Sequence, residues 1–219
     1  MKPTNGPQVI FTLLLAAGAL ITASGCNSRR NLEDKSAAGA SSAEVQIDMN
    51  CLGNRVENPP EVFHYSYKAQ TEQVVVDKEA DITPETMEIT IQDKSGTHSY
   101  HGARSDSASW NSAILDLTGS GLTGMTARIA FVKDNSATTR VAAEAINGYH
   151  TTKYSIDTAA ANSSDKQTFA TLFGSGSYDK GTIWVTEQGC PVKLVLDEAK
   201  QGTNGIVDKA HYELALVRK

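Results

Sequence analysis

The feature that most constrains this chain is the run of alternating segments, separated by turn residues, in its second half. Asn147-Gly148 separates "VAAEAI" from "YHTTKYSID". That dipeptide suits a type I′ turn, whose two central residues both need positive φ. A two-residue loop there pairs Ile146 with Tyr149 and Val141 with Tyr154. Farther on, "TIWVTE" rises, Gln188 to Pro191 turns and "VKLVLDEA" descends. Asn204-Gly205 then turns into "IVDKAHYELALVRK", with Tyr212, Leu214 and Leu216 inward. Strands joined by such short turns become antiparallel neighbours.

The first half carries the same period. "EVFHYSYKA" sets Phe63, Tyr65 and Tyr67 against His64, Ser66 and Lys68, the signature of a half-buried strand. "QVVVD" at 73–77 continues it, and "MEITIQ" sets Met87, Ile89 and Ile91 against Glu88, Thr90 and Gln92. "THSYHGARS" is a further strand. Val45 to Asp48 reads as a short first strand, "ARIAFV" at 127–132 as another, and Asn58-Pro59-Pro60 as a break.

One helix is plain in "DSASWNSAILDLTG". Asp106 or Ser107 caps it, and Trp110, Ala113, Ile114 and Leu117 form one apolar stripe. Gly119 and Gly121 end it. "SDKQTFATLF" after Ser164 suits a short second helix, and "GSGS" at 174–177 a loop. Strands outnumber helices, so the expected class is α+β and β-rich. The economical architecture is a curved antiparallel sheet, an incomplete barrel, with one or two helices on its concave face.

The beginning of the chain reads as an address. Lys2 precedes the apolar run "VIFTLLLAAGALI", and small residues follow. A basic start, a short apolar core and small residues describe a secretory signal over 1–25; the run falls short of the roughly 20 residues that span a bilayer. "ASGC" resembles a bacterial lipobox, with Ala23 where that pattern usually has leucine. The resemblance implies a diacylglycerol on Cys26 and attachment to a membrane; the alternative is ordinary cleavage near Gly25, with Cys26 a free thiol. Asn27 after the cysteine, by resemblance to Gram-negative sorting rules, points to the outer membrane. Residues 26–43, without apolar periodicity and rich in small residues, are expected to tether the lipid to a single folded domain over 44–219. The formal net charge of −5 and the lack of a basic block argue against nucleic acid as a partner. The oligomeric state is not legible.

The chain has three cysteines, Cys26, Cys51 and Cys190. With lipid on Cys26, an even pair remains in an oxidising compartment, which predicts a Cys51–Cys190 disulfide. The bond would close a loop of about 139 residues, worth roughly 5 kcal/mol in loop-closure entropy. Two unrelated buried thiols are the alternative.

"INGYHTTKYSID", "KGTIWVTEQGCPVKLVLD" and the closing "HYELAL" together resemble the LolA/LolB-like and LppX/LprG-like envelope proteins. The resemblance extends over 60–219 and is clearest from 141 onward. It implies a curved, unclosed barrel with helices as a lid over an apolar cavity, and the carriage of acyl chains between membranes. The helix with Trp110 would be lid or plug. Two departures stand out: the chain itself carries a lipobox-like sequence, as LolB and LppX do and LolA does not, and it has no evident long exposed apolar loop of the kind LolB uses.

Catalytic patterns are lacking. His64, His98, His101, His150 and His211 are scattered, and His98 and His101 on one strand would face opposite sides. "GSGS" does not meet G-x-S-x-G, so Ser175 is not placed as a nucleophile. Asp106 is more simply a helix cap than a carboxylate over a pocket, and no phosphate loop or HExxH is present. The expectation is a non-enzymatic envelope lipoprotein with neither metal nor cofactor, on the periplasmic side. It would bind a lipid or acyl chain in a cavity lined by Trp110, Ile114, Leu117, Tyr154 and Trp184. The alternative is a structural or interaction lipoprotein with a filled core.

Overall fold

A computed structural model describes residues 47–119, 121–133, 136–201 and 207–219, and the readings of a signal segment, of Cys26, of the tether and of the Asn204-Gly205 turn lie outside them. Among the described residues, nine strands form one antiparallel sheet. They are β1 (Phe63–Thr71), β2 (Val75–Ile82), β3 (Thr86–Asp93), β4 (Gly96–Ala103), β5 (Thr138–Ile146), β6 (Tyr149–Asp157), β7 (Tyr178–Thr186), β8 (Pro191–Gln201) and β9 (Val207–Arg218). Their order, β4-β3-β2-β1-β9-β8-β7-β6-β5, leaves β4 and β5 as separate edges, so the curved sheet does not close. The helices are α1 (Met49–Glu57), α2 (Ser107–Thr118), α3 (Gly121–Lys133) and α4 (Ser163–Phe173).

The inner face is built by the period of two. One rung of aligned residues runs Tyr67–Leu214–Leu194–Ile183–Tyr154 across β1, β9, β8, β7 and β6. Phe63, Tyr65, Ile82, Met87, Ile89, Leu196 and Leu216 extend it, all buried. The Asn147-Gly148 turn has φ of 55° and 83°, as a type I′ turn requires. Ile146 pairs with Tyr149 as expected, but Tyr154 pairs with Arg140, because a bulge at Val141 shifts the register. The extra residue re-aims the edge strand and disrupts its ladder.

Three readings need correction. Residues 47–48 precede α1 and are not a strand. Asp48 caps that helix, accepting from the Asn50 amide at 3.0 Å, and Met49, Leu52 and Val56 are its buried side. Gly53 and two asparagines, Asn50 and Asn54, hide it from propensity. Residues 127–132 are helical, within α3, where Met125, Ile129 and Val132 are buried at helical spacing. A short, nearly continuous apolar run does not distinguish the two periods. The described residues thus hold four helices where one or two were expected.

α2 sits where expected. Asp106 accepts from the Ala108 and Ser109 amides. The helix lies directly on β4: a Cβ on Gly102 would stand 2.7 Å from the Ala113 Cβ. Lys78, reaching from β2, donates to the Asp116 and Leu117 carbonyls at 2.6 and 3.3 Å and so satisfies the C-terminal end of α2. Burial pushes the Lys78 ammonium below its ordinary value, against the pull of Asp116.

Candidate functional site: the inner face of the sheet and its helices

Cys51 and Cys190 form a disulfide with Cα atoms 5.3 Å apart, stapling α1 to the β7–β8 turn. The Asp48 amide donates to the Gly189 carbonyl at 2.9 Å beside it. α1 is in turn tied to α2. The Glu57 carbonyl, at the C-terminal end of α1, accepts from Trp110 Nε1 at 3.2 Å and from Arg104 Nη1 at 2.8 Å. The Arg104 guanidinium stands 5.2 Å from the Trp110 ring.

The five residues read from sequence as cavity wall do not meet in one place. Trp110 and Leu117 are buried and Ile114 partly so, all beneath α2, which packs on β3 and β4. Tyr154 is buried on β6, with five strands between it and β3. Trp184 points to the opposite face. Its neighbour Ile183 belongs to the inner rung, whereas Trp184 aligns with Lys153 and Lys193. Their ammonium groups stand 5.0 and 4.9 Å from its ring, and its Nε1 donates to Glu144 Oε1 at 2.5 Å. The ring is buried between two cations and belongs to the same apolar cluster as the inner rung.

Clefts of about 210 to 570 Å³ mark the surface, and none of these five is walled by Trp110, Ile114, Leu117, Tyr154 or Trp184. The 570 Å³ cleft has Glu72, Lys180, Asp197, Lys209 and His211 among its walls. The interior is apolar, with notable exceptions. The hydroxyls of Tyr65 and Tyr67, on the inner side of β1, are buried without a hydrogen-bond partner among the described residues. Burial pushes both phenols up, Tyr67 to about 12.

A second polar feature was not anticipated. Arg128 on α3 is buried, donates to Asp179 Oδ1 at 2.5 Å and donates to Glu198 Oε1. The Tyr212 hydroxyl donates to Glu198 Oε2 at 3.3 Å. Asp179 and Glu198 pair across β7 and β8, in line with inward Ile183 and Leu194. A carboxylate at an inward position of each alternating strand was the available signal, but their cation lies on a segment that reads as strand. Three of the five histidines pair with carboxylates on adjacent strands: His64 with Asp81 at 2.8 Å, His101 with Glu88 at 2.5 Å, His211 with Asp197 at 2.7 Å.

No model of a known protein family matches the chain, and no curated protein matches it. Among solved structures, that of MucB in complex with MucA(peri) is similar, with 10% sequence identity, a TM-score of 0.33, and coverage of 78% of this chain and 55% of that one. The chain thus spans about half the length of that relative.

Proposed function

We propose that this protein is an exported binding protein of the bacterial cell envelope, without catalytic activity, that takes a lipid or acyl chain between its helices and the inner face of its sheet. The observation that carries the reading is the pair of buried phenols, Tyr65 and Tyr67, with unpartnered hydroxyls in a mostly apolar interior. Buried polar groups ordinarily find partners, and a bound amphiphile with an acceptor, such as an ester or carboxyl group, would supply one. Displacing water from apolar surface supplies the affinity, at about 25 cal/mol per Å². The Cys51–Cys190 disulfide supports export, since such bonds persist in oxidising compartments. The lipobox-like "ASGC" supports lipidation of Cys26 and anchoring on the periplasmic side, with Asn27 favouring the outer membrane. The LolA/LolB-like resemblance adds a carrier role to the same reading.

The test uses protein produced without residues 1–26, extracted with organic solvent and analysed by mass spectrometry, then titrated with cis-parinaric acid. Co-purified lipid or saturable micromolar uptake is expected; neither would sink the reading. A second reading, an interaction lipoprotein with a filled interior, is favoured by one observation: Trp110 is fixed by Glu57 and Arg104 as a core residue would be. That reading predicts no uptake at all.

A further inference from the structure

Arg128 joins α3 to three other elements. Its guanidinium reaches Asp179 on β7 and Glu198 on β8, and the Phe169 and Phe173 rings of α4 flank it at 5.6 and 4.7 Å. Phe131 of α3 packs on the same two rings, with centroids 5.5 and 6.0 Å away. The groups facing the Asp179 carboxylate are Arg128 from α3 and Glu198 from β8, with Tyr212 of β9 behind Glu198. From the loop after β6, Thr158 bonds only the Asp179 backbone. Asp179 Oδ2 is buried and has no partner among the described residues. Two carboxylates against one guanidinium leave an unbalanced negative charge in a poorly hydrated site, and charge of that kind is costly. One added proton removes it and leaves the Arg128–Glu198 pair neutral.

We propose that Asp179 is a proton-operated latch: protonated, it lets α3 stay docked on the sheet, and ionised, it drives α3 off and opens the inner face. Burial pushes the Asp179 carboxyl up to about 7, with Arg128 pulling it down and Glu198 pushing it further up. Released into water it would titrate near its ordinary 3.8. The docked form therefore holds the proton more tightly. The ratio of open to docked forms rises by at most about tenfold per pH unit between those two values and levels off above the higher one. The latch stands without any ligand; its use as a gate for an apolar chain rests on the function proposed above.

The test is hydrogen exchange by mass spectrometry on the full chain from pH 5 to 8.5, corrected for intrinsic exchange, comparing peptides of α3 with peptides of α2. In the wild type, α3 protection should fall by up to about tenfold per unit to about pH 7 and then flatten, while α2 stays level. Asp179→Asn, which mimics the protonated acid, should abolish the response. Glu198→Gln removes the like charge and should move the plateau to lower pH, which serves if the first variant fails to fold. A pH-flat α3 in the wild type, an unaltered response in Asp179→Asn, or an unmoved plateau in Glu198→Gln overturns the latch. Uptake of cis-parinaric acid measured on the same samples separates the two proposals. An α3 response without uptake at any pH sinks the ligand reading alone, and uptake with a pH-flat α3 sinks the latch alone.

Discussion

The guanidinium of Arg128 and the carboxyl group of Asp179 meet at 2.5 Å, 51 residues apart in sequence, where α3 lies against β7. The Arg128 charge is not buried alone: Glu198 balances it when Asp179 carries a proton. Arg128→Ala leaves Glu198 and Asp179 without their cation and should cost about 3–5 kcal/mol, more than an exposed ion pair contributes. Urea denaturation gives the number; a loss below about 1 kcal/mol would mean that the cluster is hydrated in solution.

The pH dependence of global stability should follow from the same residue. The Asp179 carboxyl is raised to about 7 from 3.8, so its contribution is fullest below pH 4 and is lost as pH climbs to about 7. The loss is on the order of 4 kcal/mol at most. His211, raised by its hydrogen bonds to Asp197 and Glu213, slopes the same way. Glu61 is lowered despite burial by hydrogen bonding and charge from Arg218, and Asp81 is lowered by Lys219 and His64, so both act oppositely, losing stability as pH falls through their titration. The difference between wild type and Asp179→Asn, by urea midpoint from pH 4.5 to 8, isolates Asp179; parallel curves would count against its shift.

Removing the Cys51–Cys190 disulfide should destabilise the fold by about 2–5 kcal/mol, read as a lowered urea midpoint in the Cys51→Ser/Cys190→Ser pair. Cys190 is fully buried and Cys51 half-buried, so a reductant should attack the native protein more slowly than the unfolded chain. Reduction as fast in native buffer as in denaturant would contradict this placement.

Gly102→Ala should cost about 1–3 kcal/mol, because the new methyl group meets the Ala113 Cβ at 2.7 Å and must push α2 from β4. Ala113→Gly vacates that space, so in the double variant the two substitutions should cost less than their sum. A double-mutant cycle in thermal denaturation measures the coupling; strict additivity would show that α2 does not pack there.

Much of the sheet was legible in local sequence. Strict alternation in "HYSYKA" and "MEITIQ" assigned both the strand and its inner face, and Asn147-Gly148 assigned a turn. The bulge at Val141 was not legible, since nothing in "TTRVAAEAI" distinguishes a shifted register from a regular one. α1 and α3 escaped for opposite reasons: "MNCLGNRVE" is poor in helix formers, whereas "ARIAFV" is so apolar that neither period shows. Trp184 was assigned to the cavity because "IWV" is apolar on both faces, and only its alignment with Lys153 and Lys193 places it outside.

Cysteine number and the export-like beginning were enough to pair Cys51 with Cys190, because with one thiol set aside only one pairing remains. The antiparallel hairpins likewise follow from turns and periods that act over a few residues. The junction of β1 with β9, which aligns Phe63 with Arg218, and the meeting of Arg128, Asp179 and Glu198 belong to the tertiary structure. Their cause is burial: which distant strand completes a ladder, and which cation offsets an inward carboxylate, depends on how the whole sheet excludes water.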